Sequence, residues 1–88
     1  MFEWSEAKRL QIIRDRDLDF RDAVQVFDGR PIIHMGSFRN DEDRYVSIAM
    51  IEGKFYAVVW TWRGENRRII SFRRARDAEE RRYRALHG

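Results

Sequence analysis

The sequence predicts an α+β domain with two short N-terminal helices, a four-stranded antiparallel sheet and a C-terminal helix. Three observations predict it. Apolar residues recur at helical spacing ahead of the only proline, Pro31. Beyond that proline the apolar period falls to two, and short glycine-containing turns separate the alternating runs. The closing segment opens with acids and continues with arginines, the charge order that suits a helix dipole.

Each element follows from local chemistry. Ser5 is an N-cap residue for a first helix, with Leu10, Ile13 and Arg14 following at helical spacing. The stretch Asp15-Arg16-Asp17 interrupts it. A second helix starts at Asp19, where Phe20, Ala23, Val24 and Phe27 form an apolar stripe at i, i+3, i+4 and i+7. Asp28-Gly29-Arg30-Pro31 breaks the chain. Ile32-Ile33-His34-Met35 is a first strand, and Arg44 to Glu52 a second, with Val46, Ile48 and Met50 on one face. Lys54 to Arg63 is a third strand, rich in aromatic and β-branched residues. Gly64-Glu65-Asn66 turns into a fourth, Arg67 to Arg74. Turns this short make the last three strands an antiparallel meander. Asp77 with Glu80 is close to a capping box and starts the last helix, with Tyr83 and Leu86 as apolar anchors. The helices are expected to pack on one face of the sheet.

The 88 residues suffice for one domain, spanning 1–88, and are too few for two. The absence of cysteine excludes a disulfide scaffold, a thiol nucleophile and a Cys-based zinc cluster. No apolar run approaches the roughly 18 residues of a membrane span, and the first residues lack the pattern of a signal peptide. A soluble cytoplasmic protein with no membrane partner is the expectation. Two distant histidines and scattered acids make no metal site, so neither metal nor other cofactor is expected.

The net charge of +3 is unevenly placed. Residues 1–62 carry a net of −2 and residues 63–88 a net of +5. Sixteen of the eighteen cations are Arg, which stays charged and grips phosphate or carboxylate bidentately. Polyanion binding and a merely solvated basic face both fit this composition.

Ordered motifs narrow the choice. Phe2-Glu3-Trp4 with Lys8, then Asp19-Phe20-x-x-Ala23-x-x-Val26-Phe27-Asp28, then Asp43-Arg44-Tyr45-Val46-x-Ile48 and Val58-Val59-x-Thr61 run in sequence. They lead to Arg67-Arg68-Ile69-Ile70-Ser71-x-Arg73-Arg74-Ala75 and an acidic and basic run ending at Tyr83. This ordered set resembles the BrnT family of type II toxins across nearly the whole chain. The resemblance implies a RelE-like fold and a ribonuclease that inhibits translation by cutting RNA. It also implies a BrnA-like antitoxin with a ribbon-helix-helix domain, a hetero-oligomeric complex with it, and contact with promoter DNA only through that antitoxin. The sequence departs from the family pattern at three places. Ser5 stands for the usual Asp, Ile12 for Asn, and Asp15-Arg16-Asp17-Leu18 for Lys-His-Gly-Val. The last change removes a histidine and inserts two acids. A catalytically degenerate homologue that binds antitoxin or RNA is therefore the second reading.

Metal-free RNA cleavage needs a base for the 2′-hydroxyl, cations for the phosphorane and an acid for the leaving 5′-oxygen. The candidate catalytic residues are Arg68, Arg73, Arg44, Lys8 and His34, with Arg67, Arg74 and Arg76 as RNA contacts. Each has a structural counterpart reading. Arg73 either binds phosphate or pairs with an acid, and Arg44 either holds RNA or pairs within Asp41-Glu42-Asp43. Lys8 is a site residue or a solvated helix cation, and His34 a proton carrier or a packed imidazole. Period-two alternation sets Arg68 and Arg73 on opposite faces unless a bulge intervenes. Placing Ile70 and Phe72 inward leaves Arg67, Ser71 and Arg73 on the open face. Trp60 and Trp62 are either a stacking platform for bases or part of a core or antitoxin interface.

Overall fold

Helix starts follow the polar residues that precede them. The computed structural model describes residues 1–39 and 42–87. The order is β1 (Phe2–Glu3), α1 (Glu6–Arg16), α2 (Phe20–Ala23) continued by a 3₁₀ turn (Val24–Phe27), β2 (Ile32–Arg39), β3 (Glu42–Ile51), β4 (Lys54–Arg63), β5 (Asn66–Arg74) and α3 (Asp77–His87). Ser5 Oγ accepts the Lys8 backbone N–H at 3.3 Å and caps α1. Asp19 Oδ1 accepts the Arg21 N–H at 3.0 Å and caps α2. The same Asp19 holds Arg9 bidentately, at 2.8 and 3.1 Å, and so ties α1 to α2. Asp17 ends α1 in the left-handed region, at φ 55°, donating its N–H to the Ile13 carbonyl at 2.9 Å. The Asp15-Arg16-Asp17 segment is therefore a helix terminus.

The inward residues of these helices differ in detail from the expected stripe. Ile12 is the buried residue of α1, while Leu10 is 53% exposed. Phe20, Ala23 and Val26 are fully buried, three apart throughout, because the chain tightens from α to 3₁₀ geometry at Val24.

The sheet is mixed and five-stranded, in the order β1-β5-β4-β3-β2. This corrects the four-stranded antiparallel expectation. Strands β2 to β5 form the meander, and β1 joins the edge parallel to β5, with Phe2 opposite Arg67 and Glu3 opposite Arg68. A two-residue strand is too short to show a period, so nothing local announces it.

Helices cover both faces, not one. The first face packs Ile12, Phe20, Ala23 and Val26 against Ala49, Ile51, Val58, Trp60, Ile69 and Phe72. On the second, Tyr83 of α3 packs with Ile33, Ile48, Phe55 and Ala57. The reason lies in β4, where Phe55, Ala57, Val58 and Trp60 are all buried, so apolar side chains on both sides of the strand need cover.

A bulge in β5 sets the geometry of the arginines. Trp60 lies opposite Ile69 and Val59 opposite Ser71, which leaves Ile70 without a partner. Alternation shifts by one there. Ile69 and Phe72 both point to the first face, 2% and 1% exposed, where Ile70 and Phe72 were expected. Arg68 and Arg73 lie opposite Thr61 and Ala57, positions on one side of β4, so the two arginines share the second face. Arg16 fastens α1 to the strand just beyond the bulge, donating to Ser71 Oγ at 3.0 Å and the Phe72 carbonyl at 3.1 Å.

Candidate functional site

The second face has a covered end and an open end. Helix α3 lies over the covered end. At the open end is a cleft of about 220 Å³. Ser5 and Lys8 reach it from the start of α1, Arg44 from β3, Thr61 and Arg63 from the end of β4, and Arg68, Ile69 and Ile70 from β5. Four of these side chains are cationic. The described lining contains no histidine and no carboxylate. Clustered like charges in a concave site raise the local potential and concentrate anions.

Neighbouring groups orient the cleft. Arg68 donates to Glu3 Oε2 at 2.8 Å, and Asn66 Nδ2 donates to Glu3 Oε1 at 3.1 Å. The amide of Asn66 and the guanidinium of Arg68 hold the Glu3 carboxyl below its ordinary range. Thr61 Oγ1 donates to the Asp43 carbonyl at 2.6 Å and ties β4 to the start of β3. Ser5, spent on the α1 cap, sets Lys8 on the first turn of the helix above the sheet edge.

Arg73 sits at the covered end, on the same face as Arg68 but outside this cleft. Its guanidinium meets Glu79 of α3 bidentately, at 2.8 and 2.9 Å, with the two side chains 18% and 11% exposed. Glu79 also accepts the Arg76 backbone N–H at 2.8 Å, the reaching-back half of a capping box. The sequence suggested Glu80 for that role. Glu80 instead pairs with Arg84 at 3.0 Å along the helix. Arg73, then the Arg76 amide, push the Glu79 carboxyl below its ordinary value against the opposing effect of burial.

The remaining candidates lie elsewhere. Arg74 is exposed, lies over the Tyr56 ring at 5.4 Å and donates to the Phe55 carbonyl at 3.3 Å. The Arg76 side chain is exposed. His34 and Arg67 are on the first face, so Arg67 is not on the open face where alternation put it. His34 Nδ1 lies 2.7 Å from Ser47 Oγ, and partial burial, then Arg67, lowers its pKa from the ordinary value. Trp60 is buried and Trp62 is 49% exposed. Asp41, placed beside Arg44 in the sequence reading, lies outside the described residues.

Of the five catalytic candidates, the fold thus brings together Lys8, Arg44 and Arg68. Arg63 and Thr61 join them without having been singled out. Their signal was present in the alternation of β4, since residues two apart on a strand share a face.

Fold and cleft define a small α+β domain with a cationic cleft at one end of its sheet. Residues 4–79 match the family described as ribonuclease toxin, BrnT, of type II toxin-antitoxin system, and the chain belongs to that family. A search of curated proteins finds no match. Among the described residues no helix is long and apolar enough to cross a membrane.

Proposed function

We propose that this chain is a metal-independent endoribonuclease that inhibits translation in the cytoplasm. A BrnA-like antitoxin with a ribbon-helix-helix domain silences it, and the pair reaches promoter DNA through that domain. The observation that carries the reading is the convergence of Lys8, Arg44 and Arg68 in one open cleft, in a chain of a ribonuclease toxin family. In this reading Arg44, Arg63 and Arg68 hold the scissile phosphate and stabilise the charge of the phosphorane. Lys8 donates a proton to the leaving 5′-oxygen, and solvent water takes the proton of the attacking 2′-hydroxyl. Metal independence is supported by the described lining, because its four cations repel a divalent ion and it contains no carboxylate to bind one. Arg73, engaged by Glu79, acts by docking α3.

Purified chain incubated with single-stranded RNA and a chelator tests this. Cleavage should persist with chelator present and fall in the Lys8→Ala and Arg68→Ala variants. Intact RNA after incubation with folded protein would sink it.

That outcome would favour the second reading, a module that binds RNA or antitoxin without cutting. One observation speaks for it: the described lining offers no histidine or carboxylate to take the 2′-hydroxyl proton. RNA retained on the protein yet uncut would establish it.

A further inference from the structure

The first face carries a polar cluster that the cationic cleft does not use. The Arg67 guanidinium carbon lies 4.5 Å from the centre of the Phe27 ring and 5.0 Å from those of Trp60 and Trp62. Among the described residues its side chain meets no hydrogen-bond acceptor and no acid, and its Nε is buried without a partner. The contrast with its neighbours is sharp. Arg9, Arg30, Arg68, Arg73 and Arg84 all hold carboxylates. Ring faces fix a guanidinium in place but satisfy none of its five N–H donors in its own plane. With Nε buried, an acceptor from outside can meet this arginine only at its terminal amino groups.

Arg67 lines a cleft of about 200 Å³ together with Phe27, Arg30, Ile32 and His34. Arg30 is already committed, to both oxygens of Asp28 and to the Met50 carbonyl. His34 is oriented from behind. Ser47 Oγ is fully buried and accepts the Trp60 indole N–H at 2.7 Å. The same Ser47 Oγ lies 2.7 Å from His34 Nδ1 and holds the ring by that edge, which leaves Nε2 on the side away from Ser47. Partial burial, then the nearby Arg67, lowers the pKa of that ring and so favours its neutral form. The His34 and Phe27 planes lie within 13° of parallel, with centroids 6.5 Å apart.

The cleft thus offers the Phe27 ring, the His34 imidazole and the terminal amino groups of a guanidinium that no acid holds. An unpaired nucleobase needs this set: a face to stack on and donors for the acceptors on its edge. A free phosphate would find only one available cation, and an acidic peptide would leave the near-parallel rings unused. Guanine suits best, because its O6 and N7 form a two-acceptor edge that matches a guanidinium. The two sites are close along the chain. Thr61 and Arg63 line the cationic cleft, and Trp62 between them touches Arg67 on the other face.

We infer that this second cleft is a nucleobase subsite, in which Arg67 and His34 read the acceptor edge of one unpaired guanine and Phe27 stacks on it. The inference rests on the RNA reading of the opposite face. It is tested by titrating the full isotope-labelled chain with 5′-GMP, 5′-UMP, guanosine, inorganic phosphate and an acidic oligoglutamate peptide. The Arg67 Nε–H and His34 ring resonances are followed beside those of Lys8 and Arg68. GMP and guanosine should move the Arg67 and His34 signals, UMP less, and phosphate alone should leave them in place. Arg67→Lys should weaken GMP binding by about tenfold or more. His34→Gln, which disturbs the ring packing less, should weaken it in the same direction. Signals at Lys8 and Arg68 that move while Arg67 and His34 stay fixed would overturn the subsite and leave the cleavage reading standing. Equal response to phosphate and GMP would make this an anion site and overturn it too. So would a response to an acidic peptide but to no nucleotide. No movement anywhere would take down both readings.

Discussion

Arg68 and Arg73 lie on one strand and one face, yet their surroundings differ. At the Arg73 end α3 closes over the sheet, and Glu79 meets the guanidinium with both oxygens in a mostly buried pair. At the Arg68 end, among the described residues, no helix covers the sheet in this way. Arg68 faces a cleft with Lys8, Arg44 and Arg63, and its one carboxylate, Glu3, comes from the edge strand, with both side chains 29% exposed. Bidentate pairing in a dry site fixes an arginine, whereas an open cationic cleft leaves charge for a ligand. On the proposed function the covered end serves stability and the open end activity, and substitutions at each end should separate the two.

The largest effect is expected at the open end. Arg68→Ala and Lys8→Ala should each lower RNA cleavage by about 10² to 10³-fold, the loss typical of removing one oxyanion-stabilising donor. Circular dichroism melts should meanwhile move little, because exposed or half-exposed pairs are worth only about 0 to 1 kcal/mol. A large fall in stability with either variant would tie the open end to the fold instead.

Breaking the covered end should cost stability. Glu79→Ala leaves a half-buried Arg73 without its acid and the Arg76 amide without its cap. Chemical denaturation should show a loss of about 2 kcal/mol. For a domain of this size that corresponds to a fall of roughly 10 °C in the thermal midpoint.

The same pair sets part of the acid response. The Glu79 carboxyl is held below its ordinary value, so its share of the stability is present above that value. It is lost as the pH falls from about 4.5 through the native pKa. Glu79→Gln should therefore flatten the acid limb of a stability–pH curve relative to the parent chain. Identical slopes would show that the Arg73 pair contributes nothing there. The smallest effect is at the Ser5 cap, where Ser5→Ala should cost about 1 kcal/mol. Its influence on cleavage would come only through the position of Lys8.

How much of this was legible beforehand depends on how local the signal was. Ser5 and Asp19 announced their helices because a cap is a bond within three residues. The bounds of β4 followed from the glycines on either side, Gly53 and Gly64, which take φ of +80° and +60° in their turns. The apolar stripe from Phe20 was legible, but its switch to 3₁₀ spacing at Val24 was not. Strand β1 and the parallel pairing of Glu3 with Arg68 depend on residues more than sixty positions apart, and two residues carry no period. The bulge at Ile70 is a matter of register between two strands, which one strand's sequence does not contain. That one residue decides whether Arg68 and Arg73 share a face. Lys8, Arg44 and Arg68 came from the ordered family motif, and only the fold set them around one cleft. Arg63 and Thr61 were readable from alternation once Arg68 had been placed opposite Thr61.

Arg68 and Arg73 give the most direct test of a cleavage site at the open end. RNA cleavage by Arg68→Ala and Arg73→Met should be measured side by side, below the melting temperature of both and with the folded fraction of each determined. Folded Arg68→Ala should have lost cleavage, while Arg73→Met, though less stable, should cut RNA per folded molecule nearly as well as the parent chain. Folded Arg73→Met that fails to cut, beside Arg68→Ala that still does, would contradict a cleavage site at the open end.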